Sequence, residues 1–147
     1  MVLAFLARPA TKDVDAIFQP VAEVRRAALL VGEAEGLAAD WLNDAVKGWV
    51  SAQGETTDVG LPQFSHLHVT MPTAGYRLAM KALAARSAGP EGKGDRKDIV
   101  TLVQHLGLSS PEAVFSVLAR YYPSARVLPK TEYLIREIFD KFPTAQS

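Results

Sequence analysis

The spacing of apolar residues changes along the 147-residue chain, and this change most limits the folds that the chain can adopt. In residues 12–18, acidic and apolar side chains alternate with the two-residue period of a strand that has one packed face. From Thr73 onward, apolar residues recur at helical spacing in segments separated by proline or glycine. The sequence therefore predicts an α/β first part, residues 1–72, and a mainly helical second part, residues 73–147.

The first part is predicted to contain two strands and two helices after an apolar opening segment, residues 2–7, that resembles the tail of a helix. Proline is favoured at the first turn of a helix and glycine just after its end, and Asp is a common N-cap. The predicted elements are, in chain order, a strand over residues 12–18, a helix from Pro20 that Gly36 terminates, a helix that follows Asp40 and carries Trp41 and Trp49 on its apolar face, and a strand over residues 66–71 that Pro72 ends.

The second part is predicted to contain four helices and one flexible loop. The loop, residues 87–94, contains three glycines and one proline, a composition typical of irregular chain. The predicted helices are, in chain order, one that Thr73 caps and that runs to about Arg86, one over residues 95–106 that Gly107 closes, one that begins at Ser110-Pro111-Glu112 and stops at Tyr121-Tyr122-Pro123, and one over residues 131–142.

Composition restricts the function classes that the chain can serve. With 48% hydrophobic residues the chain can build one compact core, so we expect a single domain over residues 1–147. A formal net charge of zero argues against a broad nucleic-acid footprint, which depends on a surplus of Lys and Arg. The absence of cysteine excludes disulfides and thiolate metal sites, and no stretch is long enough to cross a membrane, so we expect a cytoplasmic protein.

Asp13 and Asp15 are the strongest candidates for a functional site. Two residues that are two positions apart on a strand point the same way, with their β-carbons roughly 6–7 Å apart. That spacing allows both carboxylates to share one hard cation, or to bracket two cations about 4 Å apart, as phosphoryl-transfer sites require. Arg8 and Lys12 would suit a phosphate ligand. The alternative is that both acids lie on the solvated face of an edge strand.

The residues from Arg8 to Asp15 read Arg-Pro-Ala-Thr-Lys-Asp-Val-Asp. They resemble the Arg-x-Thr-x-Asp-x-Asp motif of the bacterial minimal nucleotidyltransferases of the DNA polymerase β superfamily, which include abortive-infection and toxin–antitoxin enzymes. The likeness continues, in the same order, through residues 40–48, 76–86, 95–99 and 121–123. It thus covers most of the chain, and the resemblance implies a small mixed sheet of nucleotidyltransferase type followed by a helical part.

The resemblance also implies roles for individual residues. Asp13 and Asp15 would bind catalytic Mg²⁺ (or Mn²⁺), and Asp95 or Asp98 would complete a charged catalytic pocket. By the same resemblance, Lys81 and Arg86 would contact the nucleoside triphosphate or the acceptor. Further substrate-binding candidates are Thr11 and Lys12, which lie in the motif, and Arg77, which lies one turn before Lys81 and could extend a phosphate-binding face.

Each of the downstream charged residues also has a structural alternative. Lys81 can be a surface lysine whose stem packs on the helix. Asp95 can cap its helix, and Asp98 can pair with a basic neighbour.

The sequence departs from the family pattern in two places. The family's first strand and the Gly-Gly or Gly-Ser pair that contacts nucleotide phosphates are not in these 147 residues. The strand over residues 66–71 contains no acid, where the superfamily commonly has a third carboxylate. It carries His66 and His68 instead, which are either partly buried strand histidines or two ligands of a transition-metal site.

Two functions follow as expectations. The first is Mg²⁺-dependent transfer of a nucleoside monophosphate from an NTP to an acceptor hydroxyl on an RNA end, a protein or a small molecule. The second is a truncated, non-catalytic nucleotidyltransferase-fold protein that binds a nucleotide or a protein partner. An antitoxin or a second copy of the chain could be that partner, because a bare sheet edge invites association.

Overall fold

The computed structural model describes residues 13–86 and 89–142, with side chains omitted at 89–91. This part of the chain mixes helices and short strands, as expected, with five α-helices. In chain order the elements are β1 (Val14–Asp15), α1 (Val21–Glu35), β2 (Leu42–Asn43), a 3₁₀ helix (Ala45–Trp49), β3 (Thr56–Thr57), β4 (Met71–Pro72), α2 (Ala74–Ala84), α3 (Gly89–His105), α4 (Pro111–Tyr121), a 3₁₀ helix (Ser124–Arg126) and α5 (Pro129–Lys141).

The contacts within the chain fall into two compact units that divide between Val50 and Ser51. The first unit contains β1, α1, β2 and the 3₁₀ helix Ala45–Trp49, and the second contains all later elements. The expectation of a single domain over the whole chain stays a prediction. Within the described ranges, no helix combines the length and the apolar character that a membrane crossing requires.

The first unit is a strand–helix–strand motif. β1 and β2 pair in parallel, with Val14 opposite Leu42 and Asp15 opposite Asn43, and α1 connects them. Helix α1 ends at Gly36, which adopts the left-handed conformation (φ 65°) that glycine tolerates best. Both ends of α1 therefore agree with the sequence prediction to within one residue.

Trp41 attaches β2 to α1. Its indole nitrogen donates a hydrogen bond of 2.8 Å to the carbonyl of Ala28. The ring packs over Gly32, where an added β-carbon would come within 3.2 Å of it. Its backbone carbonyl accepts a hydrogen bond from the amide of Val14 on β1.

The prediction of a second α-helix after Asp40 is wrong. Leu42–Asn43 forms β2, and only the short 3₁₀ helix Ala45–Trp49 follows. The apolar spacing of this segment suits a helix, but pairing with β1 and packing against α1 favour the extended conformation at Leu42. Nonlocal contacts of this kind routinely override local propensity.

Helix α2 forms the centre of the second unit and is enclosed by α3, α4 and α5. Leu78, Ala79 and Ala82 on α2 have no exposed surface. The buried hydrophobic residues that the surrounding helices contribute are Ile99, Leu102, Val103, Val114, Leu118, Tyr121, Leu134, Ile135 and Ile138. The predicted bounds of α4 and α5 are confirmed to within two residues, including the Ser110 cap, whose hydroxyl accepts a hydrogen bond from the amide of Ala113.

Two elements of the second unit differ from the prediction. The expected strand over residues 66–71 is reduced to β4, which pairs with β3 in antiparallel fashion, and residues 66–70 are loop. This segment is mostly exposed, so it lacks the packed face that would extend a strand. Helix α3 begins at Gly89, so most of the loop predicted over residues 87–94 is helical, and Asp95 lies inside the helix instead of capping it. The buried Gly92 shows that this first part of α3 packs on the unit.

The loop before β3 is held against the helices by two tyrosines. The amide of Ser51 donates to the hydroxyl of Tyr76 at 2.7 Å, and the hydroxyl of Tyr121 donates to a carboxylate oxygen of Glu55 at 2.8 Å. The two tyrosine rings lie 5.1 Å apart. Gly54 passes so close to Tyr76 that an added β-carbon would lie 2.5 Å from the ring. This loop therefore requires glycine at position 54.

Replacing Gly54 with alanine should destabilise the second unit. The buried ring of Tyr76 cannot move away without disturbing the core, so we expect Gly54→Ala to lower the free energy of unfolding by about 1–3 kcal/mol. Urea unfolding followed by circular dichroism measures the change. Gly48→Ala is the matched control, because its added carbon would meet nothing within 4 Å. Equal stability of the two variants would contradict the close packing of Gly54 on Tyr76.

Candidate functional site

Asp13 and Asp15 flank Val14 at the first strand of the first unit, and both are exposed. The amide of Val14, between the two acids, donates to the carbonyl of Trp41, and the amide of Ala16 donates to the carbonyl of Asn43 on β2. β1 begins at Val14, so Asp15 is in the strand and Asp13 directly precedes it. The carboxylate of Asp15 makes no hydrogen bond or ion pair with another described residue.

The oxygen donors of this strand suit Mg²⁺, which prefers carboxylates and water and commonly binds through one or two carboxylates together with substrate phosphates. Within residues 13–86 and 89–142, no three or more acidic or histidine residues cluster as a metal-binding group. A metal held by Asp13 and Asp15 would therefore take its remaining ligands from water or a bound phosphate. Thr11 and Lys12, the neighbouring substrate-binding candidates, lie outside the described residues.

Lys81 and Asp98 form an ion pair between α2 and α3 in the second unit. The ammonium nitrogen of Lys81 lies 2.5 Å from a carboxylate oxygen of Asp98. The Asp98 side chain is 1% exposed and that of Lys81 is 26% exposed. A carboxylate so deeply buried needs a nearby positive charge, because removing it from water is costly. The alternative of a surface lysine does not apply to Lys81.

Arg86 and Asp95 form a second ion pair next to the first. The Nε and Nη2 atoms of Arg86 donate to the two oxygens of Asp95 at 2.9 and 3.2 Å, and the Arg86 amide also donates to it at 3.1 Å. Burial alone would raise the pKa of Asp95, but the hydrogen bonds and charge of Arg86, with a contribution from Lys81, hold that pKa below its usual value.

The structure thus brings together four of the predicted site residues: Lys81, Arg86, Asp95 and Asp98. Their charges cancel in two pairs, so each acid faces a base in this arrangement. The cluster can lock α2 against α3, and a phosphate could bind its cations only by competing with the carboxylates. The family resemblance predicted that these four residues lie close together. It did not predict that they form two ion pairs.

Arg77, another predicted substrate-binding residue, lies one turn before Lys81 and is 7% exposed. Its guanidinium donates to the backbone carbonyl of Pro72 at 3.0 Å, and burial lowers the pKa of the side chain. This contact attaches the start of α2 to β4. The side chain is therefore engaged in the fold, and a role in substrate binding stays a prediction.

His66 and His68 lie on exposed loop, so the strand face that would have aligned them is not formed. The Nε2 atom of His68 is 3.7 Å from a carboxylate oxygen of Asp58. These residues do not belong to a cluster of three potential metal ligands within the described ranges. The arrangement gives no support to a transition-metal site.

A cavity of about 310 Å³ lies between α2, α3 and α5, and it was not predicted from the sequence. Its floor includes Ala82 and Ala85, whose small side chains leave the space open. On its wall, Arg96 pairs with Glu137 at 2.7 Å, while the Nε atom of Arg96 is buried without a described hydrogen-bond partner. The signal for this cavity in the sequence was the pair of small residues at its floor, Ala82 near the end of α2 and Ala85 just after it.

Comparison with known proteins identifies no relative. No family model, curated protein or solved structure matches the chain. The assignment of function therefore rests on the residues themselves.

Removing the cation of the buried pair should destabilise the second unit. Lys81→Met removes the ammonium group that pairs with the buried Asp98 carboxylate, so we expect the free energy of unfolding to fall by about 1–3 kcal/mol. The matched control, Arg86→Met, affects a pair whose arginine is 56% exposed, and there we expect about 1 kcal/mol or less. Urea titration measures the free energy of unfolding of the wild type and of both variants. A loss no larger for Lys81→Met than for Arg86→Met would show that the buried pair does not stabilise the unit.

The Asp95 pair should make stability depend on pH. A carboxyl group whose pKa is lowered on folding adds stability above its unfolded pKa, about 3.9, and this contribution disappears as the pH falls through the folded value. The stability advantage of the wild type over Asp95→Asn should therefore be largest near pH 7 and shrink below about pH 4. Unfolding curves across this range test it, and an advantage that grows with acidity would contradict it.

Proposed function

We propose that this chain is a nucleotidyltransferase-like protein that transfers a nucleoside monophosphate from an NTP to an acceptor hydroxyl in the presence of Mg²⁺. The observation that carries the proposal is the exposure of two carboxylates, Asp13 and Asp15, on either side of Val14 at the start of β1. The resemblance of residues 8–15 to the nucleotidyltransferase motif supports the same reading.

The two acids differ from ordinary surface carboxylates in where the fold holds them. Hydrogen bonds from the amides of Val14 and Ala16 to the carbonyls of Trp41 and Asn43 fix the strand, so the backbone between the acids is ordered before any ligand binds. Asp15 has no described partner to compete with a cation. Preorganised ligands lower the cost of binding, because fewer bonds must be fixed when the ligand arrives.

Asp13 and Asp15 would hold the cation through their carboxylate oxygens. Bound Mg²⁺ would neutralise charge on the triphosphate and orient it for attack by the acceptor. The two aspartates would fix the position of the phosphates relative to β1. Since positioning and charge neutralisation supply most of the rate in phosphoryl transfer, both carboxylates should be required.

Neutralising either aspartate should abolish transfer. With α-labelled NTPs and cell extract as the source of acceptors, we expect Asp13→Asn and Asp15→Asn to lower Mg²⁺-dependent incorporation by at least about 100-fold. Asp40→Asn is the matched control, because Asp40 is also an exposed acid of the first unit, and it should behave as the wild type. Equal incorporation by wild type, Asp13→Asn and Asp15→Asn would reject the assigned residues.

A second candidate is a non-catalytic protein of the same type that binds a nucleotide or a protein partner. The observation in its favour is the pairing of Lys81 with Asp98 and of Arg86 with Asp95, which gives these charges a structural role. Equilibrium dialysis with a non-hydrolysable NTP and Mg²⁺ separates the two candidates. Binding that Asp15→Asn weakens, without any transfer by the wild type, would favour the non-catalytic protein.

The acceptor is defined by this proposal only as a hydroxyl group. RNA ends, proteins and small molecules each carry one, and the neutral net charge disfavours a long RNA footprint only. Mass spectrometry of the RNA, protein and small-molecule fractions of cells that express the wild type or Asp13→Asn would identify which class of acceptor is modified. A modification that both proteins produce equally would not come from this site.

A further inference from the structure

Helix α1 presents an exposed face that the rest of the described chain does not cover. We call it the outer face, and it consists of Ala22, Arg26, Leu29, Leu30 and Glu33. At 3.6 residues per turn these positions fall on one side of the helix, and all five residues are exposed. Leu29 is 54% exposed and Leu30 is 63% exposed.

The opposite side of α1 is the one that packs within the first unit. Val21, Val24 and Ala28 are half-buried there, and Gly32 is buried against Trp41. The leucines of the outer face therefore do not serve the strand–helix–strand motif. Two adjacent leucines at the centre of an exposed helical face, with Leu37 also exposed just beyond the helix, are typical of an association surface.

The charges on the outer face are arranged symmetrically. Arg26 lies three residues before Leu29, and Glu33 lies three residues after Leu30. Neither charge forms an ion pair with another residue in the described part of the chain. The face is thus positive on one side of the leucine pair and negative on the other.

Such a face is complementary to itself. When two copies of α1 pack antiparallel about a two-fold axis that passes between Leu29 and Leu30, Arg26 of each copy faces Glu33 of the other. Leu29 and Leu30 meet their counterparts on the axis. A two-fold interface requires this self-complementarity, because each residue meets its partner twice.

We propose that the protein forms a homodimer through the outer face of α1, with the two helices antiparallel. The inference is independent of the proposed transferase activity. A helix of 15 residues is about 22 Å long, so the contact is at the small end of specific interfaces. The dimer should therefore be reversible, with a dissociation constant on the order of 1–100 µM.

Charge reversal tests both the partner and the orientation. Sedimentation velocity of the wild type should show a concentration-dependent dimer. Arg26→Glu and Glu33→Arg, each alone, put like charges opposite each other twice and should weaken the dimer at least about tenfold. Glu35→Arg is the matched control, because Glu35 is exposed on the opposite side of α1, and it should dimerise as the wild type does.

Mixing the two single variants makes the test specific. In a mixed dimer, Glu at position 26 of one chain faces Arg at position 33 of the other, and the second contact is likewise attractive. An equimolar mixture of Arg26→Glu and Glu33→Arg should therefore recover the dimer that neither variant forms alone. Recovery shows that this face of one copy meets the same face of the other. The dimer of the wild type specifies the orientation, because a parallel contact would put Arg26 opposite Arg26 and Glu33 opposite Glu33.

The absence of cysteine allows a direct check of the axis. Leu30→Cys should form an intermolecular disulfide on mild oxidation, because position 30 of each copy lies near the axis. Glu35→Cys should not. A wild type that remains monomeric up to about 1 mM would overturn the proposal. So would a dimer that both charge reversals leave intact, or variants that fail to recover on mixing.

Discussion

The burial of α2 is the constraint on which the second unit depends. Leu78, Ala79 and Ala82 are shielded from solvent on a helix that α3, α4 and α5 surround. The small alanines let neighbouring helices approach, and the close contact leaves little tolerance for added volume. In this enclosure Lys81 keeps a quarter of its side chain exposed, and its ammonium neutralises the buried Asp98. The ion pair is therefore a consequence of how completely α2 is covered.

This constraint also shapes the candidate chemistry. The charges that resemble a substrate-binding set in the sequence, Lys81 and Arg86, are paired with Asp98 and Asp95. On β1, Asp15 is exposed and has no hydrogen-bond or ion-pair partner among the described residues. The two sets of charges differ in burial. A charge removed from water needs an opposite charge within the protein, whereas an exposed charge is solvated and can bind a ligand.

Local signals predicted the helix ends well, and nonlocal contacts account for the failures. Gly36 and Ser110 act through their own backbone or side chain, so their effect can be read from neighbouring residues. The segment after Asp40 has helical spacing, yet Leu42 pairs with Val14, a residue far away in the sequence. The start of α3 was not predicted because three glycines and a proline favour loop locally, while packing on the unit stabilises the helix.

The sequence by itself predicted a strand at Asp15, because alternation of acidic and apolar residues follows from the backbone geometry of a strand, and β1 contains this residue. It likewise determined that Arg26, Leu30 and Glu33 share a face of α1, because the helical repeat does the same. Only the tertiary structure decided which of these faces stay exposed and which charges meet. Exposure and pairing depend on segments that are distant in the chain, and local spacing carries no information about where those segments lie.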